Sequence, residues 1–301
     1  MKRGKKLKKK YALGIDIGGT KVAVAVVDRS GLIHYRHELP SNTRSSETLL
    51  ETVLNGIGVV LEASKLSMND FHGVGAGIPG RVDHINGIAV FQNNIPWENF
   101  PFVERLQEEL GKDINILIDN DVKVAAYAEY ATRQLSAEET LTYFTISTGL
   151  ASTSIVNNTI LRGAGFSGEI GFLPLRQGDG YISLENYAAG PAIQRALPKS
   201  ISTKEVFQKA SDNNKKALAI IKDRAHAIAV GLYSVICVLD PNLIVLGGSV
   251  AYYNPEFIAN ILDELRDLVI DEQSHILDNI VKTELGGDNG VIGAGLLAFN
   301  L

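Results

Sequence analysis

The sequence predicts an α/β protein built as two lobes, and three observations carry that expectation. Short apolar strands alternate with helix-length periodic segments along the chain. A strand, a glycine turn and a second strand fill residues 13–28, and another strand-turn-strand unit begins at residue 141. The 301 residues, 45% hydrophobic and 21% charged, suffice for two domains of ordinary size.

Residues 11–37 read as three short strands, with Arg29-Ser30-Gly31 as the second turn, and 46–66 carry helical periodicity. A buried strand is expected at 72–78, a helix at 101–111, a strand at 114–118 and an alanine-rich helix at 121–133. The pattern then restarts. Strands at 141–147 and 151–156 are followed by an Asn157-Asn158 turn and a further strand from Thr159. Helical segments over 203–239, a strand at 243–247, a helix at 255–270, a strand near 278–285 and a final helix from residue 289 complete the chain. The expected division is a basic tail at 1–10, an N-terminal lobe at 11–122 and a C-terminal lobe at 123–301. It leaves open whether the last helix packs on the N-terminal lobe. Two halves with a glycine turn in each suggest a cleft between lobes.

The net charge of -5 gives no reason to expect specific nucleic-acid binding. The one basic concentration is the tail, Lys2 to Lys10, expected to be disordered and solvated. No apolar run is long enough to cross a bilayer, and the apolar residues after Lys10 form a strand rather than a signal peptide, so the cytoplasm is expected. The sole cysteine, Cys237, lies in an apolar stretch and is expected to be a buried small hydrophobe.

The chemistry concentrates at turns. In Leu13-Gly14-Ile15-Asp16-Ile17-Gly18-Gly19-Thr20-Lys21 an apolar run ends on a carboxylate, two glycines expose backbone N–H groups, and Thr20 and Lys21 add donors. That suits a phosphorylated ligand and its metal. It is neither a Walker loop nor a dinucleotide loop, because it leads into a second strand. An ordinary hairpin whose side chains satisfy the turn is the alternative. Further along come Gly77-Ile78-Pro79-Gly80-Arg81, Asn93-Asn94, Asp119-Asn120-Asp121 at a strand-to-helix junction, Ser147-Thr148-Gly149, Gly168-Glu169-Ile170-Gly171, and Asp240-Pro241 before Gly247-Gly248.

In this order the series resembles the ROK family of bacterial sugar kinases and sugar-responsive repressors, from about Tyr11 to the end. The resemblance implies the two-lobed actin-like, ribonuclease-H-like ATPase fold with an interlobe cleft, and a homodimer. It makes Asp121 the base that accepts the proton of a sugar hydroxyl, a role whose chemistry the residue type allows. Asn120 would orient the same sugar, Glu169 and Glu185 would accept sugar hydroxyls, and Gly80 and Arg81 match a sugar-side loop. On the nucleotide side it places Asp16, Gly18, Gly19, Thr20, Lys21, Thr148, Gly149, Gly247 and Gly248. Asp16 would hold Mg²⁺ directly or through water, with ATP as donor.

Plainer readings stand beside these: helix capping by the Asp119-Asn120-Asp121 run, an exposed helix-start Glu185, a solvated Arg81, and an ordinary strand-to-helix turn at Gly247-Gly248.

Three departures from the family pattern matter. Phe172 stands where a zinc- and sugar-binding histidine is usual, and no cysteine occurs between Gly171 and Glu185, so no zinc is expected. The glycine-rich turn becomes Ser147-Thr148-Gly149-Leu150-Ala151-Ser152-Thr153, which puts side chains where backbone would approach phosphate. Lys123 replaces the usual asparagine two residues after Asp121, where an ammonium would depress the carboxyl pKa or point away along the helix. The leading expectation is an ATP-dependent kinase acting on a hexose, an amino sugar or a glycoside. The alternative is a non-catalytic sugar-binding regulator with a degenerate nucleotide loop.

Overall fold

Two five-stranded sheets of one plan organise the chain in the computed structural model, which describes residues 9–92, 94–197 and 201–300. Most of the basic tail, and Asn93, lie outside the described residues. One unit runs to Gln134 and takes back the segment from Asp288; the other spans Leu135–Gly287.

The first unit contains β1 (Tyr11–Ile17), β2 (Lys21–Asp28), β3 (Ile33–Pro40), α1 (Ser46–Ser64), β4 (Phe71–Ile78), β5 (Arg81–Asp83), β6 (Ile88–Phe91), β7 (Glu98–Phe100), α2 (Phe102–Leu110), β8 (Ile116–Asn120) and α3 (Asp121–Thr132). The second contains β9 (Leu141–Ile146), β10 (Leu150–Val156), β11 (Thr159–Ile160), β12 (Pro174–Gln177), β13 (Gly180–Ser183), α4 (Leu184–Ala188), α5 (Gly190–Arg195), α6 (Thr203–Ser211), α7 (Lys215–Leu239), β14 (Leu243–Gly247), α8 (Ser249–Tyr253), α9 (Pro255–Arg266) and β15 (Ile280–Lys282). The chain then returns to the first unit as α10 (Asn289–Ala298).

The sheets run β3-β2-β1-β4-β8 and β11-β10-β9-β14-β15. Each has two antiparallel pairings on one side and two parallel pairings on the other. In the first sheet alternation divides the faces. Leu13, Ile15 and Ile17 of β1 enter a core shared with α1 and α2. Gly14 and Asp16 take the other face, where α10 lies almost on the backbone. A Cβ at Gly14 would fall 1.9 Å from the Val291 carbonyl oxygen, and one at Gly75 1.8 Å from that of Ala294. Side chains at these two glycines would force the helix off the sheet.

The same closeness places α3. A Cβ at Gly293 of α10 would lie 2.0 Å from the Val124 carbonyl oxygen, so α3 packs with the first unit, and the division falls beyond it at Gln134. A boundary near residue 122 passes through its first turn. Helical periodicity marks the helix without naming its partner.

Cys237 corrects an expectation. It is exposed, as is its neighbour Val238, because the apolar residues at the end of α7 fall off the buried face. The strand expected near 278–285 shortens to β15, and the hairpins of β5–β7 and β12–β13 carry no strong strand signal in the sequence. Among the described residues no helix is long and apolar enough to cross a membrane.

Candidate active site

In the first unit, the residues singled out by sequence gather at the C-terminal ends of the parallel strands, where open α/β sheets bind ligands. The register aligns Asp16 of β1 with Gly77 of β4, and Gly77 with Asp119 of β8. Asn120 and Asp121 follow directly. Gly80 lies beyond β4, in the left-handed region at φ 79°, and its Cβ would fall 2.4 Å from the Phe91 carbonyl oxygen. Only glycine fits there. Arg81 begins β5 and is exposed.

Asn120 proves to be the helix cap. Its Oδ1 accepts from the Val122 and Lys123 N–H groups at 3.0 and 3.3 Å, while its Nδ2 donates to the Gly80 carbonyl at 2.9 Å. Capping and loop positioning thus occupy most of its amide, which also hydrogen-bonds the Asp121 carboxylate. Asp121 opens α3, and its Oδ1 accepts from Val122 N–H at 2.9 Å. Burial pushes its carboxyl above the ordinary range; hydrogen bonding to backbone and the Lys123 ammonium pull the other way. Lys123 is itself buried on α3, so it has not turned out into solvent.

Asp16 is pushed up to about 7, chiefly by burial and next by the negative charge of Asp121, while Lys21 and Arg36 oppose the rise. Two carboxyls raised mainly by burial, one of them also by the charge of the other, mark a site short of positive charge. In the turn itself, Gly18 N–H donates to the Lys21 carbonyl at 2.8 Å. Among the described residues the Gly19 and Thr20 amides meet no acceptor. Neither Gly18 nor Gly19 adopts positive φ, so the turn does not need glycine for that reason. The Lys21 ammonium pairs with Glu38 at 3.0 Å, and Arg36 bridges Glu38 and Asp288 at 2.7 Å each. Arg36, Glu38 and Asp288 were not anticipated. Their only sequence signal is the charged alternation of β3 and an acidic residue before the last helix.

The second unit repeats the arrangement. Parallel β9 and β14 end together, with Gly247 in register with Thr145. A Cβ at Gly247 would meet the Tyr143 hydroxyl at 2.0 Å. Gly248 sits at φ 83°, where a Cβ would lie 2.4 Å from the Ile146 carbonyl oxygen. These contacts bring the Gly247-Gly248 turn against the start of the Ser147-Thr148-Gly149 turn. Thr148 is exposed at its tip.

The altered residues after Gly149 do not crowd that turn as expected. Ser152, Thr153 and Ser154 are buried within β10. The Ser152 hydroxyl donates to the Gly168 carbonyl at 3.0 Å, and the Ser154 and Thr142 hydroxyls pair at 2.8 Å. Those hydroxyls are thus committed inside the unit and are not phosphate donors. Glu169 is exposed on the segment laid against β10 through Ser152 N–H to the Gly168 carbonyl at 2.7 Å. Glu185, the second residue of α4, accepts from Leu150 N–H at 2.9 Å through Oε2.

Asp16 and Asp121 offer hard oxygen donors, which fit Mg²⁺ shared with phosphates. Among the described residues no group of three or more His, Cys, Asp or Glu side chains could hold a metal ion.

Comparison with known proteins agrees with this architecture. A glucokinase from Halalkalibacterium halodurans is 25% identical, covering 96% of this chain and 94% of its own. A xylose repressor from Bacillus spizizenii is 26% identical over 86% of this chain and 69% of its own. The crystal structure of a ROK hexokinase from Thermus thermophilus superposes with a TM-score of 0.82 at 29% identity, covering 96% of this chain and 98% of that one. The duplicated sheets are those of the actin-like ATPase fold. The ROK family model matches residues 12–300, and the chain belongs to the ROK family.

Proposed function

We propose that this protein is an ATP-dependent sugar kinase that transfers the γ-phosphoryl group to a hydroxyl of a hexose, an amino sugar or a glycoside. The observation that carries the reading is Asp121, a desolvated carboxylate at the strand ends beside Asp16. The similarity to a glucokinase and a hexokinase supports it.

Asp121 accepts the proton as the sugar oxygen attacks phosphorus, with its Oδ1 steadied by Val122 N–H. Asn120 holds Gly80 and the Asp121 carboxylate and so orients the sugar, while Arg81, Glu169 and Glu185 supply further polar contacts. In the first unit the Gly19 and Thr20 amides, and in the second unit Thr148, Gly149 and Gly248, are the candidate donors to phosphate oxygens. Lys21 and Arg36 offset negative charge near Asp16. Asp16 would hold Mg²⁺, with Asp121 close enough to share its field; bound there, the ion would neutralise phosphate charge. A cavity of about 570 Å³ next to α8, walled by Phe207, Val250 and Tyr253 with Lys204 at its edge, accommodates the nucleoside.

Sugar-dependent ADP release by the purified protein, lost in Asp121→Ala, tests the assignment. Sugar binding without turnover in the wild-type protein would instead support the regulatory alternative, which the similarity to a xylose repressor keeps in view. A cytoplasmic homodimer completes the proposal, and sedimentation tests its oligomeric state.

A further inference from the structure

The second glycine turn is clamped by one short stretch of chain. Gly190 N–H donates to the Ser147 carbonyl at 2.9 Å, Ser147 N–H closes the turn onto the Gly149 carbonyl at 2.9 Å, and Glu185 Oε2 takes Leu150 N–H at 2.9 Å. Both outer clamps come from α4 and the residues that follow it. The Glu185 carboxylate also fills the space beneath the turn. A Cβ on Gly149 would lie 2.7 Å from Oε2, and one on Gly171 3.3 Å from the same oxygen. The carboxylate thus sits between the turn and the segment bearing Glu169, touching both.

This changes what the residue does. A glutamate serving only a sugar hydroxyl would have no reason to spend an oxygen on a backbone amide. A charge-assisted hydrogen bond of this kind is roughly twice as strong as a neutral one, and although Glu185 as a residue is exposed, losing it removes this acceptor from the amide of buried Leu150. We propose that Glu185 is a positioning residue for the second glycine turn. Its carboxylate sets the backbone geometry of residues 147–150, and with it the affinity for phosphate at Thr148 and Gly149. The nucleotide half of this statement rests on the kinase reading; the clamp does not.

The test compares wild type, Glu185→Ala and Glu185→Gln by two readouts. In ligand-free protein, amide hydrogen exchange over residues 147–153 should run several-fold faster in Glu185→Ala, with the rest of the protein unchanged. Glu185→Gln should stay near wild type, because its amide oxygen still accepts from Leu150. In calorimetry with MgADP and no sugar, Glu185→Ala should bind roughly five- to tenfold more weakly and Glu185→Gln within about twofold, the scale of one such bond. Unchanged local exchange in Glu185→Ala would overturn the clamp while leaving the kinase reading intact. Unchanged MgADP affinity would overturn the positioning role and return Glu185 to the sugar alone. Wild-type protein that ignores MgADP while exchange still responds would refute the nucleotide role of the turn and uphold the clamp.

Discussion

The carboxylate of Asp16 rests on the α-carbon of Gly290. A methyl group added there would lie 2.4 Å from Asp16 Cγ and 2.5 and 2.8 Å from its two oxygens. The strand-end carboxylate is therefore positioned by the second residue of α10, 274 positions later in the chain by the difference of the two residue numbers.

Gly290→Ala sets two effects against each other. Alanine favours a helix over glycine by about 1 kcal/mol, whereas forcing a side chain into occupied space costs about 1–3 kcal/mol. The clash wins, and the Asp16 carboxylate gives way because the strand cannot. The expected outcome is a fall in Tm of a few degrees and a loss of kcat exceeding tenfold, with sugar binding little changed. Steady-state kinetics and thermal unfolding on the same variant check both.

Asp121 carries a pH signature. A proton acceptor works only when ionised, and burial holds this carboxyl above its usual range, so kcat/KM should fall as pH drops through an apparent value higher than an ordinary aspartate. The Lys123 ammonium counters the rise. Removing it in Lys123→Asn should shift the acidic limb to higher pH. Asp121→Asn should lower kcat/KM by about 10²–10⁴ on the plateau above that limb, the usual worth of general-base catalysis, with the gap narrowing as pH falls through it. A pH–rate profile of all three proteins reads these effects together; an acidic limb that stays put in Lys123→Asn would remove the lysine from the picture.

How much of this was legible beforehand follows from which interactions are local. The strand ending on Asp16, the helix beginning at Asp121 and the Asn157-Asn158 turn, with φ of 50° and 57°, all announce themselves within a few residues. Asn120 was open to a capping role from its place before a helix, and it is the cap. What stayed hidden was pairwise and distant. Nothing near Gly75 shows that Ala294 will press on it, and nothing near Lys21 shows that Glu38 will take its charge. The burial of Ser152 and Thr153 was likewise unreadable, because a glycine-rich family pattern says where backbone runs but not which way substituted side chains turn.

Gly248→Ala tests the second turn. The residue combines φ 83° with ψ 156°, a conformation essentially reserved for glycine that costs an alanine about 1–3 kcal/mol, and its Cβ would press on the Ile146 carbonyl at 2.4 Å, where backbone cannot yield cheaply. Destabilisation of about 2–4 kcal/mol in denaturant unfolding is expected, together with loss of MgADP binding at least tenfold. Retained affinity at reduced stability would make Gly248 a structural turn residue and nothing more.

Asp28 supplies a stability test remote from catalysis. It closes the turn between β2 and β3: its Oδ1 accepts from Ser30 N–H, the Ser30 hydroxyl and Leu32 N–H, and its Oδ2 pairs with His34 at 2.8 Å. Burial pushes its carboxyl up, but these hydrogen bonds outweigh it and hold the group down at about 2, below the ordinary 3.8. A carboxyl lowered on folding stabilises the native state once it is ionised in both states. The contribution is therefore complete above about pH 5 and fades as pH falls through 3.8 towards 2. Its size is on the order of 2 kcal/mol at neutral pH. Asp28→Asn should consequently unfold at lower denaturant concentration at pH 7, by about 1–2 kcal/mol, since an amide oxygen keeps only part of the network. The gap between the two proteins should narrow as the pH is lowered towards 2. Urea titrations at pH 7, 4 and about 2.5 would follow it, and a gap independent of pH would show that the turn does not depend on the charge of Asp28.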